Sequence, residues 1–251
     1  MPNRPFPSQR RKAPLALLGL LAVLAVTPVA HSQDAAAIRK NLAERMPGFP
    51  RIESIDRTPI AGLYEVRADG EIFYADEQGN YLVQGRITDT RLHIDLTEAR
   101  LQKINQIDFA VLPLKDAVVW KKGNGKRKLA IFADPNCGYC KQFERELQEV
   151  TDVTVYTFII PVLGGDSPEK SRAIWCQQDN ATAWRQWMIE DKAAPRAMGA
   201  CDATAIARNL ALSRKLRVRG TPAIVFEDGR RSEGAMPSDA LRQRLDQLAK
   251  G

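Results

Sequence analysis

Cys137-Gly138-Tyr139-Cys140 holds two thiols on one helical turn, close enough for a disulfide to form and break between them. Chemistry of that kind needs one cysteine as a thiolate, because the thiolate and not the thiol is the nucleophile. The flanking residues supply the means. Residues 129–133 are an apolar run that reads as a buried strand, and Tyr139, Phe143, Leu147 and Val150 follow at helical spacing. The pair therefore opens a helix directly after a strand, with Asn136 the expected N-cap. Unpaired N–H groups and the macrodipole at a helix start favour negative charge, which lowers the pKa of the first cysteine.

Other uses of the motif fit less well. A zinc site would need a second Cys/His pair at suitable spacing. Cys176 and Cys201 are far apart in sequence, and the only histidine beyond residue 32 is His93. Haem attachment would need a histidine after the second cysteine, where Lys141 stands. A purely structural CxxC disulfide is the remaining alternative. A strand, a CxxC and a helix together give the layout of a thioredoxin-like redox site.

The start of the chain sets the compartment. Arg4, Arg10, Arg11 and Lys12 precede an apolar run from about residue 13 to 29, and Ala30-His31-Ser32 offers small residues for cleavage before Gln33. This is a secretory signal peptide of bacterial style over residues 1–32, so the expected location is the periplasm. An uncleaved anchor is disfavoured, because the run falls short of the ~20 residues a spanning helix needs and contains Pro14 and Pro28. All four cysteines lie beyond the leader, where disulfides persist. Removing four basic and no acidic residues takes the formal charge from +7 to about +3. That excess gives no warrant for nucleic-acid binding. Lys121-Lys122 and 126–128 flank glycines and read as a solvated turn.

The remaining ~219 residues read as two units. Residues 33–46 suggest a short amphipathic helix carrying Ile38, Leu42 and Met46. Alternating strands follow at 63–67, 71–75 and 81–83, with turns at Asp69-Gly70 and 78–80. So small a module, residues 33–95, buries little surface, and pairing with a second copy would remedy that. A helix starting near Asp95 or Thr97 links it, over residues 96–108, to a second domain at 109–251. There the CxxC strand and helix lead to a central strand at 153–160. A helix-rich insertion (about 162–219), a strand at 222–226, its partner near Arg231 and a last helix from Ser238 complete the pattern. Cys176 and Cys201 fall in the insertion. A structural reading is favoured over a catalytic one, since neither has a vicinal partner. A bond closing that loop would stabilise by roughly 3–4 kcal/mol in the chain-entropy model. Gly220-Thr221-Pro222, taken alone, is an ordinary strand start, because few X–Pro bonds are cis.

Three segments resemble the DsbC family of bacterial periplasmic protein-disulfide isomerases (DsbC/DsbG-like). They are FADPNCGYCKQFERELQ, RGTPAIVFEDG and YADEQGNYLVQGRITD, in the expected order along the chain. The resemblance implies an α+β fold. A small cystatin-like dimerisation domain would precede a thioredoxin-like catalytic domain with a helical insertion, paired into a V-shaped homodimer. It implies Cys137 as nucleophile and Cys140 as resolving thiol. Gly138, Tyr139, Thr221 and Pro222 would contact the substrate, and Cys176–Cys201 would be a structural disulfide. The chain departs from some relatives at Lys141, where they carry histidine.

The expected activity is reduction and isomerisation of incorrect disulfides in misfolded secreted proteins, with chaperone activity and no cofactor or metal. A DsbD-like membrane reductase would keep Cys137 reduced. Three other readings compete: a monomeric dithiol oxidase, a non-catalytic holdase, and a DsbG-like protector of single cysteines. The sequence does not say which group moves the proton of Cys140, though Asp134 lies near it in the chain.

Overall fold

The computed structural model describes residues 29–196 and 200–248. Residues 1–28 of the expected leader lie outside the described residues. Among the described residues no helix is long and apolar enough to cross a membrane.

Helix α1 (Val29–Arg45) packs on an antiparallel sheet of β1 (Ile52–Arg57), β2 (Leu63–Ala68), β3 (Glu71–Asp76) and β4 (Leu82–Val83), in that spatial order. Asp69 and Gly70 join β2 to β3 with φ of 50° and 71°, the paired positive φ that a two-residue I′ hairpin demands. Ile38 and Leu42, one helical turn apart, meet Ile55, Tyr64, Val66 and Ala75 in a thin core. Strand β1 has no counterpart in the sequence reading. Its residues IESIDR are mostly polar and its burial does not alternate cleanly, so periodicity carries little signal there.

A short ribbon of β5 (Thr88–Asp89) and β6 (Ile94–Asp95) leads into helix α2 (Leu96–Ile104). Asp95 caps that helix by accepting from the Glu98 N–H at 2.7 Å, one of the two starts the sequence suggests.

The second sheet contains β7 (Val118–Lys122), β8 (Arg127–Ala133), β9 (Val153–Ile159), β10 (Ala223–Phe226) and β11 (Arg231–Glu233), ordered β11-β10-β8-β9-β7. Strands β8 and β9 run parallel, and every other pairing is antiparallel. Central strand β8 is buried on both faces. Leu129 and Ile131 point to one core, with Phe143 and Leu147 of α3 (Gly138–Leu147) and Trp184 and Met188 of α5 (Asn180–Glu190). Leu241 and Leu245 of α7 (Ser238–Leu248) join them. Ala130 and Phe132 point to the other core, with Phe109, Leu112 and Phe158. Burial of each large apolar side chain contributes about 1.5–3 kcal/mol, so this sheet is the rigid platform for what sits at its ends.

Helices α4 (Ser167–Trp175), α5 and α6 (Thr204–Lys215) interrupt the chain between β9 and β10. Cys176, at the end of α4, is bonded to Cys201 just before α6, with Cα atoms 5.9 Å apart. The lysine runs need correction. Lys121 and Lys122 end edge strand β7, where exposed charge discourages further strand pairing, and Arg127 and Lys128 open β8. The turn itself is narrower, passing through Gly123 and Gly125 at φ of 64° and 67°.

Candidate active site

The carboxyl end of β8 delivers the chain into Asp134-Pro135-Asn136 and then into α3. Asp134 is 0% exposed and organises this corner. Its Oδ1 accepts from the Asn136 N–H at 2.7 Å and the Ser167 hydroxyl at 2.8 Å. Its Oδ2 accepts from the N–H groups of Val162 and Leu163 at 2.7 and 2.9 Å. Both oxygens are therefore committed as acceptors, and Asp134 is a structural anchor with no lone pair left to take a proton from Cys140.

Helix α3 is capped by Cys137 itself, not by Asn136. The Cys137 Sγ accepts from the Cys140 N–H at 3.1 Å, the geometry of an N-cap side chain with sulfur in place of oxygen. Asn136 turns outward instead, donating to Asp166 at 2.8 Å and accepting from Lys170 at 2.9 Å. The difference is chemical: a capping sulfur is held where the free N–H groups of the helix point, so its anion gains most. The Cys137 thiol also donates to the Thr221 carbonyl at 3.2 Å, and the Thr221–Pro222 peptide bond is cis.

These contacts set the two thiols apart. A hydrogen bond from Cys140 lowers the Cys137 pKa from 9.0 to about 6, against burial and with help from Thr221 and the N–H groups of Cys140 and Tyr139. Burial drives Cys140 the other way, well above the ordinary thiol range, and its hydrogen bond to Cys137 adds to the effect. One thiol is thus poised as thiolate at neutral pH while its neighbour keeps its proton.

The other expected contact residues occupy the open side. Tyr139 is 68% exposed, and Val162 and Leu163, whose N–H groups donate to Asp134, are 47% and 56% exposed. Gly138 is exposed, and a Cβ there would meet nothing within 4 Å, so packing does not dictate glycine. Cys176 and Cys201 bond to each other and take no part in this thiol pair.

Sequence reasoning missed Trp187 and Lys170. The Trp187 indole N–H donates to the Pro135 carbonyl at 2.6 Å, and the ammonium groups of Lys141 and Lys170 lie 4.2 and 4.3 Å from its ring centre. Lys141 also pairs with Asp191. The charge of Lys141 is thereby shared between an aromatic face and a carboxylate. No spacing rule in the sequence connects residues 50 positions apart in this way. Among the described residues, no cluster of three His, Cys, Asp or Glu side chains is arranged to hold a metal.

Two domain models match this chain. A thioredoxin-like domain model matches residues 114–249, and a model of the disulfide bond isomerase protein N-terminal domain matches residues 29–98. The chain is 43% identical over 216 residues to the probable thiol:disulfide interchange protein DsbC of Bordetella pertussis, covering 86% of this chain and 76% of that one. This chain belongs to the DsbC family. It is 28% identical over 238 residues to the thiol:disulfide interchange protein DsbC of Escherichia coli K12, covering 92% of this chain and 95% of its relative. Among solved structures, the disulfide interchange protein of Neisseria gonorrhoeae aligns with a TM-score of 0.51 at 38% identity, over 54% of this chain and 97% of that one. The DsbC-family fold is accordingly a thioredoxin-like domain behind a smaller helix-and-sheet domain, and its activity is thiol–disulfide exchange.

Proposed function

We propose that Cys137 attacks the wrong disulfides of misfolded secreted proteins and that Cys140 resolves the resulting mixed disulfide. The observation that carries this reading is the asymmetry of the pair: both are buried, at 4% and 2% exposure, yet Cys137 caps α3, faces Thr221 and has a lowered pKa, while the Cys140 pKa is raised. A substrate thiol that displaces Cys137 yields a rearranged pairing and returns the enzyme unchanged. Displacement by Cys140 leaves the substrate reduced and the enzyme oxidised. Thr221 offers backbone groups beside the thiolate, so an extended segment can be held with little sequence preference, Gly138 and Tyr139 forming the facing wall.

Repeated reduction requires an electron source, and in the periplasm this would be a DsbD-like membrane reductase. We assign residues 33–95 to dimerisation, 96–108 to the link and 109–251 to catalysis, with the insertion at about 162–219. Met46, Ile60, Tyr81, Val83, Leu92 and Ile94 are large apolar residues between 42% and 74% exposed, all within that first segment. A second copy would cover such a surface. Two sites facing one cleft would grip unfolded clients, which is the basis for chaperone activity.

The decisive experiment is refolding of a multi-disulfide protein oxidised at random, with the mature enzyme supplied reduced. Recovery of native pairing by the wild type and not by Cys137→Ser is expected. An enzyme that only introduces disulfides into reduced chains, and leaves scrambled ones as they are, would be an oxidase and would overturn the proposal.

A further inference from the structure

One buried acid on the active-site helix is not used by the chemistry so far. Glu144 stands one helical turn after Cys140 on the inward face of α3, which also carries Phe143 and Leu147, and it is 2% exposed. Its Oε1 accepts from the Trp184 indole N–H at 2.7 Å, reaching across from α5. Its Oε2 is buried and has no hydrogen-bond partner among the described residues. An orphaned carboxylate oxygen in a core costs about 1–3 kcal/mol or more, so its retention calls for a reason.

We propose that Glu144 is the proton acceptor for Cys140 when the mixed disulfide is resolved. Residues four apart on a helix place their Cβ atoms about 5–6 Å from one another. A long side chain in a helix also leans back over the preceding turn, toward Cys140 in this case. Trp184 fixes one oxygen and leaves the other unengaged in the same dry interior as the Cys140 thiol. Asp134, the other acid near the motif, has both oxygens filled by N–H and O–H donors.

The surroundings set the proton affinity of this group. Burial raises the Glu144 pKa from 4.5 to about 7, with the Trp184 hydrogen bond and the Arg185 charge acting the other way. Arg185 faces it from α5, lies over the Trp120 ring of β7 at 5.2 Å and donates to Gln148 at 2.5 Å. Along its own chain, Cys140 lies one turn before Glu144, and Gln148, the C-cap of α3, lies one turn after it. An acceptor that titrates near the working pH is half available as carboxylate and still basic enough to be useful.

Timing favours transfer at the right moment. Negative charge on Cys137 is among the causes that hold the Cys140 proton in place. In the mixed disulfide Cys137 carries no charge, so that cause vanishes just when Cys140 must ionise. The Cys140 proton then passes to the Glu144 carboxylate, and the Cys140 thiolate attacks the Cys137 sulfur. The Cys137–client S–S bond breaks and the Cys137–Cys140 bond forms. The client sulfur leaves with the electron pair and picks up one proton, and Glu144 releases the one it took. Two active-site sulfurs are oxidised as the client sulfur pair is reduced.

This inference rests on Cys140 being the resolving thiol, and Cys140→Ser tests that premise alone through accumulation of the mixed disulfide. Glu144→Gln keeps the size and can still accept from Trp184. Reduced enzyme is mixed with oxidised glutathione between pH 5 and 9, and the two steps are followed separately: loss of the first glutathione thiol, then of the second. For Glu144→Gln the second step should fall by about 10²-fold at pH 7 and lose its inflection near that pH. The first step should change less than about twofold, a split that general loosening of the core would not produce. An unchanged second step, or equal slowing of both, overturns the proposal. Should the variant not fold, the wild type decides: carbon NMR of the Glu144 carboxyl should titrate at different pH in the dithiol and disulfide forms, and identical curves overturn it.

Discussion

The Cys137 thiol meets the Thr221 carbonyl at 3.2 Å across 84 residues of chain. Strands β8 and β10 are adjacent and antiparallel, with Phe132 opposite Ala223, so the end of one and the start of the other share an edge of the sheet. The thiol comes from the loop that leaves β8, the carbonyl from the loop that enters β10. Neither loop alone makes a site. Their meeting places a thiol of lowered pKa next to the half-buried Thr221 backbone, which is the juxtaposition that the proposed exchange with an unfolded chain needs.

The roles of the two sulfurs give the first prediction. Cys140→Ser should accumulate Cys137-linked mixed disulfides with client proteins, visible on non-reducing gels and lost on reduction. Cys137→Ser should not, because the thiol that remains holds its proton well above the ordinary thiol range. Equal trapping by the two variants would reverse the assignment.

Stability should follow the ionisation of Cys137. Its pKa is about 6 in the fold against an ordinary 9.0, with the hydrogen bond from Cys140 the largest cause. The folded value is depressed, so the unfolded reduced chain binds more protons between these limits, and stability rises with pH. The contribution is fully present above about pH 9 and disappears as pH falls through about 6, amounting to about 4 kcal/mol. Above pH 9 the raised pKa of Cys140 works in the opposite sense. Urea unfolding of the reduced wild type, minus that of Cys137→Ser, should show this rise between pH 6 and 9. A flat difference would mean the thiolate is not stabilised by the fold.

Much of this was legible in the sequence, for reasons that differ by element. The CxxC, its strand and its helix are contiguous, so periodicity and spacing expose them directly. Helix α2 announces itself through Asp95. Strand β1 is mostly polar and gives no period, and β7 ends in Lys121-Lys122, which looks like a turn until the sheet supplies a neighbour in β9. Within the site, Asn136 was the expected cap because oxygen side chains usually do that work, whereas a sulfur one residue later takes the position. Trp184, Trp187 and Lys170 reach the motif only through tertiary packing of the insertion. Glu144 illustrates the same limit: its helical position is plain from the sequence, but burial and an unsatisfied oxygen are properties of the folded core.

Asp134 should prove costly to remove. It accepts from three backbone N–H groups and one hydroxyl while wholly buried. Asp134→Ala would strand those donors, at about 1–3 kcal/mol for each one water cannot reach, for a loss of about 3 kcal/mol or more by denaturant unfolding. The loop carrying Cys137 would loosen with it, so the pH at which Cys137 becomes half alkylated should move up from about 6. A loss below about 1 kcal/mol would show that the acid is not the anchor of this corner.

The exposed face of the first domain is where association should be tested. The sheet order places β2 and β3 inside, each flanked by neighbours, so only β1 and β4 have free edges. Strand β4 is two residues long; Tyr81 just before it is 74% exposed and its own Val83 is 52% exposed. An open strand edge with apolar side chains invites pairing with another chain, and in a symmetric dimer the partner is the same edge of a second copy. The thin core of Ile38, Leu42 and Ile55 gains from it, since so small a unit buries little by itself. The mature protein should therefore sediment as a dimer. Tyr81→Glu with Val83→Lys should shift it to monomer at micromolar concentration while the Cys137 alkylation profile stays where it was. Reduction of a simple disulfide should persist in that monomer, and rearrangement of a multi-disulfide client should fall at least several-fold, because a lone site has no second site across a shared cleft. A wild type that sediments as a monomer, or a charged variant that stays dimeric, would place the contact elsewhere or remove it.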